Sequence, residues 1–316
     1  MRPVVLLTGG FGNLGGRIAA ALHDHRYWDI RLASRSHTSA PAWAPLAEVI
    51  QLDLLDNTEV AQSCKGVSAV IHLAALNDRQ AAQDPELAEA VSGRGTEALV
   101  NAAIENNVQR FIFMSTAHVY SSPLQGVITE STPTTNQHPY ATSHISGERA
   151  VAERHDKERF LGIRLRCANG FGYPMNPEVD IWHTLVYDLC KQVVATHKMT
   201  LRSSGLQQRN FIAVSDICAA ILHFLQLDAT QVGDGLFNLG GLTSTTVLEM
   251  ATVVAARAHA VLGINATIDR PSPSVDELVI PLDYQINKLI ATGFVPKNIV
   301  NEEIDRLILM CAENQQ

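Results

Sequence analysis

Cysteine is scarce in this chain: five in 316 residues, Cys64, Cys167, Cys190, Cys218 and Cys311. The number is odd and no two stand in a C-x-x-C pair, which argues against a disulfide framework and for a reducing, cytoplasmic setting. No apolar stretch approaches the roughly 18 residues that a membrane span requires. The Val4–Leu7 run behind Arg2 imitates a signal peptide, but it is too short and Thr8-Gly9-Gly10 interrupts it. A basic run is also missing. With 24 Lys and Arg against 32 Asp and Glu, the formal charge is -8, and no electrostatic footprint for nucleic acid exists. Twelve histidines are present without H-E-x-x-H or a similar ligand spacing, so no metal site is expected.

What is there reads as an ordinary globular chain, 46% hydrophobic and 18% charged. Apolar runs alternate with helical periodicity. Strands are expected at Val4–Thr8, Ile30–Ser34, Val49–Leu52, Ala69–Leu73, Arg110–Ser115 and Gly162–Arg166. Helices are expected at Asn13–Asp24, Asn57–Cys64 (capped by Asp56 or Asn57), Pro85–Asn107 and Tyr140–His155. Almost wholly apolar strands separated by helices imply an α/β fold, a doubly wound parallel sheet covered on both faces. After about residue 167 the rhythm breaks, and Pro174, Pro177, Gly205, Gly233, Gly235, Gly240 and Gly241 punctuate shorter elements. The expected division is 1–166 with a returning segment about 206–240, and a smaller mixed α/β substrate-binding part formed by 167–205 and 241–316.

Thr8-Gly9-Gly10-Phe11-Gly12-Asn13-Leu14-Gly15 follows the first strand and opens the first helix. Gly9 permits the tight turn, Gly12 lets backbone approach a pyrophosphate, and Gly15 lets helix and strand pack closely. The helix N-terminus adds free N–H groups and partial positive charge, which suits a dinucleotide. Together these features describe a Rossmann-type domain.

The T-G-x-x-G-x-x-G spacing resembles the extended short-chain dehydrogenase/reductase family, in its epimerase/dehydratase branch. Further segments match in order: Asp53-Leu54, His72-Leu73-Ala74-Ala75, Gly95-Thr96, the Phe111–Tyr120 segment, Ile128-Thr129-Glu130 and Pro139-Tyr140. Beyond them, Arg166, Asn169, Gly170 and Gly172 resemble L-R-x-x-N-x-x-G, Arg209–Asp216 resembles R-D-F-I-H-V-x-D, and Phe237–Gly240 matches F-N-L-G. The resemblance implies that Gly9, Gly12, Asn13, Leu14, Gly15, Asp53, Leu54, Leu73, Ala74 and Ala75 hold NAD or NADP. It also implies a homodimer paired through the helices Pro85–Asn107 and Tyr140–His155.

At the end of strand two an acidic residue would favour an unphosphorylated ribose. Here the segment is Ala33-Ser34-Arg35-Ser36, and Ser34 with Arg35 could hold a 2′-phosphate. NADP is therefore favoured over NAD.

The resemblance places a catalytic hydroxyl at Thr116 and an acid/base at Tyr140. The family's lysine, four residues after the tyrosine, holds the nicotinamide ribose and lowers the tyrosine pKa. That position is His144, and Ser92 stands where asparagine is usual. Three readings follow: His144 substitutes for lysine in cofactor binding and catalysis, roles are altered with another cation nearby, or redox turnover is lost. The 4,6-dehydratases carry T-D-E after strand five. Here Thr116-Ala117-His118 lacks both carboxylates, which disfavours elimination. Asn169 and Arg209, with Arg202 as a further candidate, resemble residues that grip a nucleotide diphosphate. The expected activity is 4-epimerase or 4-ketoreductase chemistry on a nucleotide sugar. The alternatives are an NADPH-dependent reductase of a non-nucleotide carbonyl and a catalytically impaired dinucleotide-binding module.

Overall fold

The structure, a computed structural model, describes residues 2–36 and 38–314. Seven strands form the main sheet: β1 (Val4–Thr8), β2 (Asp29–Ser34), β3 (Glu48–Gln51), β4 (Ala69–His72), β5 (Arg110–Thr116), β6 (Leu161–Cys167) and β7 (Leu236–Leu239). Their order is β7-β6-β5-β4-β1-β2-β3, and every pair is parallel. This is the doubly wound α/β sheet expected from the alternation of apolar runs. Successive side chains go to opposite faces. Val5 and Leu7 of β1 enter one core with Ile112 and Met114 of β5, while Leu6, Phe111 and Phe113 enter the core on the other face.

Helices α1 (Asn13–His25), α2 (Asn57–Ser63), α3 (Gly95–Glu105) and α4 (Pro139–Glu153) fall where the periodicity puts them, within a residue or two, except around α3. The segment read as one helix over Pro85–Asn107 is helical from Pro85 to Glu105, with a π-helical turn over Glu89–Arg94. A widened turn leaves carbonyls off the regular ladder. Thr96 Oγ1 donates to Ser92 O at 2.7 Å and satisfies one of them. Asp56 rather than Asn57 caps α2, accepting from the Thr58 and Glu59 N–H groups.

After β6 the chain builds α5 (Leu185–Thr196), α6 (Val214–Gln226), α7 (Val247–Leu262) and α8 (Val300–Glu313). Helix α6 packs on α1 against the main sheet, and β7 pairs with β6. Just before α6, Gln208–Ala213 belongs to a separate three-stranded sheet with Asn169–Phe171 and Ser244–Thr246. Helices α5, α7 and α8 close a second core around Tyr187, Leu189, Val193, Met250, Val254, Leu307 and Ile308.

A buried ion pair ties the two cores together. Arg17 of α1 reaches Glu303 of α8 with both terminal nitrogens, at 2.8 and 2.7 Å. The same guanidinium lies 3.9 Å from the Tyr173 ring centroid and donates to Tyr173 O, and Glu303 also accepts from the Ser215 N–H. Glu303 is 2% exposed, so removing its carboxylate strands a guanidinium and a backbone N–H away from water. Glu303→Ala is expected to cost ~3–5 kcal/mol of unfolding free energy. A shift in the urea midpoint would measure it, and an unchanged midpoint would remove this pair from the account of how the cores are joined.

Candidate active site

The carboxyl ends of β1, β4 and β5 bring Thr8, His72 and Thr116 to one edge of the sheet, the edge where open α/β sheets take ligands. Thr8 Oγ1 accepts from the Leu73 and Ala74 N–H groups, both at 3.2 Å. Its own hydrogen then goes to His72 Nδ1 at 2.6 Å, which leaves the proton on Nε2 to donate to Thr96 Oγ1 at 3.0 Å. This tautomer is assigned from the network of partners. Each partner can play its part only if His72 is neutral, and burial, with His144 nearby, lowers its pKa to about 3.

The glycine turn has the shape a pyrophosphate needs. Gly9 has φ +70°, and a Cβ on Gly15 would lie 2.0 Å from Gly9 O, so only glycine lets α1 approach the turn. No side chain caps α1, its first turn carries no acid, and the first helical bond is Gly16 N to Gly12 O. The N–H groups of Asn13, Leu14 and Gly15 therefore face outward at the positive end of the helix. Asn13 Nδ2 donates to Tyr187 OH at 2.8 Å, while Asn13 Oδ1 is buried with no partner among the described residues. These residues fit a dinucleotide phosphate.

Leu73, Ala74 and Ala75 follow β4 beside this turn. Asp53 Oδ1 accepts from the Leu55 N–H, and buried Leu54 packs where a Cβ on Gly95 would collide with it at 2.9 Å. Ser34 ends β2 and its Oγ accepts from the Ser36 N–H. Arg35 is exposed just beyond it.

Helix α4 carries Tyr140, His144 and Glu148 at four-residue spacing, hence on one face. Pro139 opens the helix, and His138 caps it by accepting from the Tyr140 N–H. Gly147 lets the helix sit close. A Cβ there would lie 2.7 Å from both Phe113 Cζ and Ser92 O. Glu148 binds Arg166 of β6 at 2.6 and 2.9 Å and accepts from Ser115 Oγ at 2.5 Å. That grip holds Tyr140 against Thr116, the next residue of β5.

Tyr140 lines the cavity, yet burial of its hydroxyl raises its pKa to about 12, with the Thr116 hydroxyl offsetting part of the rise. No cation contributes. His144 lies against it, with ring centroids 4.3 Å apart, and His144 Nδ1 is 2.7 Å from Tyr140 O. A carbonyl only accepts, so Nδ1 bears the hydrogen, and in the neutral ring Nε2 is an acceptor. Burial lowers the His144 pKa; the Tyr140 carbonyl and Glu148 act against it without reversing it. The imidazole is therefore neutral at neutral pH, unlike a lysine. Ser92 is buried and its Oγ has no partner among the described residues.

In front of Tyr140 opens a cavity of about 900 Å³, within the range of ligand pockets. The candidate substrate residues Asn169, Arg202 and Arg209 line it, together with Arg79, His118 and Tyr187, which sequence reasoning did not assign to a site. None of the three arginines forms an ion pair with a described residue. Burial lowers the pKa of Arg209. Of the acids in the wall, Asp78 and Asp180 lie 3.9 and 3.4 Å from His183, and Glu277 accepts from Ser204 Oγ. Asn169 Nδ2 donates to Asn210 O, a contact that braces the strand carrying Arg209.

Comparison with known proteins agrees with this geometry. Residues 5–240 match the NAD dependent epimerase/dehydratase family, and the chain belongs to it. The dTDP-D-glucose 4,6-dehydratase of Mus musculus is 27% identical over 262 residues, covering 78% of this chain and 70% of that protein. Among solved structures, the UDP-N-acetylglucosamine 4-epimerase of Methanobrevibacter ruminantium M1, in complex with UDP-N-acetylmuramic acid, superposes with TM-score 0.83 at 21% identity over the whole of both chains. DesIV, a dTDP-glucose 4,6-dehydratase from Streptomyces venezuelae with NAD bound, gives TM-score 0.77 at 20% identity, covering 99% of this chain and 98% of that one.

Two measurements test the electrostatics. In the unfolded chain His72 takes up a proton near 6.5, and in the folded chain only near 3. Below about 6.5 the unfolded state binds more protons, so the stability His72 contributes is full above that value and is lost as pH falls toward 3. His72→Gln should flatten the fall in urea midpoint between neutral pH and about pH 4.5; an equally steep fall would assign acid sensitivity elsewhere. His144→Lys should lower the Tyr140 pKa from about 12 by roughly one to three pH units. Tyrosinate absorbance, referenced to Tyr140→Phe, would read this, and an unmoved titration would show that the ammonium does not act on the phenol.

Proposed function

We propose that this chain is an NAD(P)-dependent oxidoreductase of the epimerase type that acts on a nucleotide sugar, by 4-ketoreductase or 4-epimerase chemistry. The observation that carries this reading is one cavity lined by Tyr140, whose hydroxyl meets Thr116, and by three arginines that form no ion pair with a described residue. A phenol beside a hydroxyl handles the proton of a C–O(H) centre, and arginines recognise a diphosphate through forked hydrogen bonds. The nucleotide sugars bound by solved relatives support the same substrate class.

A bound nicotinamide supplies or accepts the hydride. Thr116 polarises the reacting oxygen. Tyr140, protonated at neutral pH, is ready to donate to the oxygen of a ketone, which supports the reducing direction. His144 Nε2 is available to accept from a ribose hydroxyl, so it substitutes for one hydrogen bond of a lysine and not for its charge. The acid pair that would serve elimination is replaced by Ala117 and His118, which counts against a 4,6-dehydratase. Ser34 and exposed Arg35, with no carboxylate between them, support NADP as the preferred form.

Calorimetry with NAD and NADP on the wild type and Arg35→Ala tests the cofactor. The expected result is tighter NADP binding that the substitution weakens about tenfold or more, roughly the effect of losing one charge-assisted hydrogen bond. Equal affinities would return the preference to NAD. Turnover of a 4-keto nucleotide sugar, followed by reduced-nicotinamide absorbance, should fall ~100-fold or more in Tyr140→Phe with cofactor binding kept. UDP binding should fall in Arg209→Ala. Turnover of a small carbonyl that ignores the Arg209 change would support the non-nucleotide reductase instead. Cofactor binding with no hydride transfer across nucleotide sugars and small carbonyls would leave a binding module.

A further inference from the structure

A side-chain hydrogen bond joins the glycine turn to the wall of the cavity. Asn13, the first residue of α1, reaches Tyr187 of α5, with Nδ2 donating to the phenol oxygen at 2.8 Å. Tyr187 is 1% exposed, lines the cavity and meets Trp182 edge to face. The Gly172 N–H faces the same hydroxyl as a donor. Gly172 follows the strand Asn169–Phe171, which pairs with the Gln208–Ala213 strand that carries Arg209. The Tyr187 hydroxyl is therefore a junction. On one side stands the turn that fits a dinucleotide phosphate. On the other stand the two strands that bring Asn169 and Arg209 to the cavity.

The hydrogen bonds at this junction have two arrangements. In the first, the Tyr187 oxygen faces two donors, and no described residue accepts its hydrogen. Asn13 Oδ1 is buried without a partner among the described residues. Half a turn of the Asn13 amide gives the second. Tyr187 O–H then donates to Oδ1 and keeps Gly172 as its donor. The amide nitrogen takes the place of the orphan oxygen, on the first residue of α1 and hence at the positive end of the helix. A phosphate held there attracts an amide donor and repels an amide oxygen. It thus favours the arrangement in which the phenol and the amide are both paired, and a satisfied buried network is the more rigid one.

We propose that Asn13 and Tyr187 are positioning residues that couple the two ligands, so that a dinucleotide in the turn tightens the hold of Asn169 and Arg209 on a nucleoside diphosphate. The proposal rests on the nicotinamide and nucleotide-sugar reading above. Linkage makes the coupling reciprocal, and the nucleoside diphosphate tightens the dinucleotide by the same factor.

The test is UDP binding by calorimetry, with and without saturating NADP and again with NAD, on the wild type, Tyr187→Phe and Asn13→Ala. In the wild type the dinucleotide should tighten UDP about fivefold or more, the lower end of ordinary coupling between sites. Each substitution should bring that factor close to one. Dinucleotide affinity measured with and without UDP should lose its dependence in step. A contact that is only structural would weaken either ligand and leave the factor unchanged, so a wild-type factor in either variant overturns the proposal. So does a wild type that binds both ligands independently. A wild type that binds a dinucleotide but not UDP overturns the nucleotide-sugar reading. One that binds UDP but neither dinucleotide overturns the nicotinamide reading, and each of these removes the proposal as well.

Discussion

Glu148 is a carboxylate with almost no access to water, and Arg166 is what makes that tolerable. Both side chains are under a tenth exposed. An isolated charge in such surroundings costs several kcal/mol, so each is held there by the other. Burial works against the guanidinium, but the hydrogen bonds to Glu148 outweigh it and its pKa is raised. The Tyr120 ring covers the guanidinium at 4.7 Å, and Tyr284 OH donates to the Arg166 carbonyl. The remaining acceptor capacity of Glu148 goes to Ser115. The result is a polar knot that crosses from α4 to β5 and β6. Because Ser115 precedes Thr116, and Glu148 shares a helical face with Tyr140 and His144, the knot fixes the hydroxyl pair from below.

This arrangement separates two jobs along one helix. The lower end of α4 is locked by charge, and the upper end is free to meet ligand. Gly147 marks the transition, since it lets the helix settle onto Phe113 and the π turn at Ser92 without a side chain between them. The π turn is thus part of the packing that seats α4. The same closeness brings His144 into the buried zone and strips it of charge.

Much of this was legible in the sequence, and the rest was not for identifiable reasons. Runs such as Val4–Leu7 and Phe111–Met114 are apolar at every position because both sheet faces are covered, so the main strands announce themselves. The glycine turn is legible because a Cβ at Gly15 has nowhere to go. The widened turn at Glu89–Arg94 packs against α4, and no local signal precedes it. The cavity wall is less legible still. Arg79, on the short helix Asp78–Gln83, and His183 and Glu277, on irregular segments, lie far apart in the chain, and only the tertiary fold brings them to one place. His118 was visible as a departure from a pair of carboxylates, but its carbonyl is held by Asn136, eighteen residues away. Tyr187, which holds Asn13, had no sequence signal.

The substitution of His144 for lysine changes the charge of the site more than its shape. A lysine would put a permanent cation beside the phenol and hold a tyrosinate within reach of neutral pH. The neutral imidazole cannot, and the Tyr140 pKa of about 12 is what a phenol shows when burial acts with little to oppose it. Such a phenol is a poor base and a competent acid. The cations of the cavity, Arg79, Arg202 and Arg209, line its wall instead. On the function proposed above, positive charge would anchor an anionic substrate, and proton donation would be left to a neutral tyrosine. That division is coherent for an enzyme that delivers a proton to a ketone. It is poorly matched to one that must repeatedly take a proton from an alcohol, because each such step would start from a phenol already carrying its hydrogen.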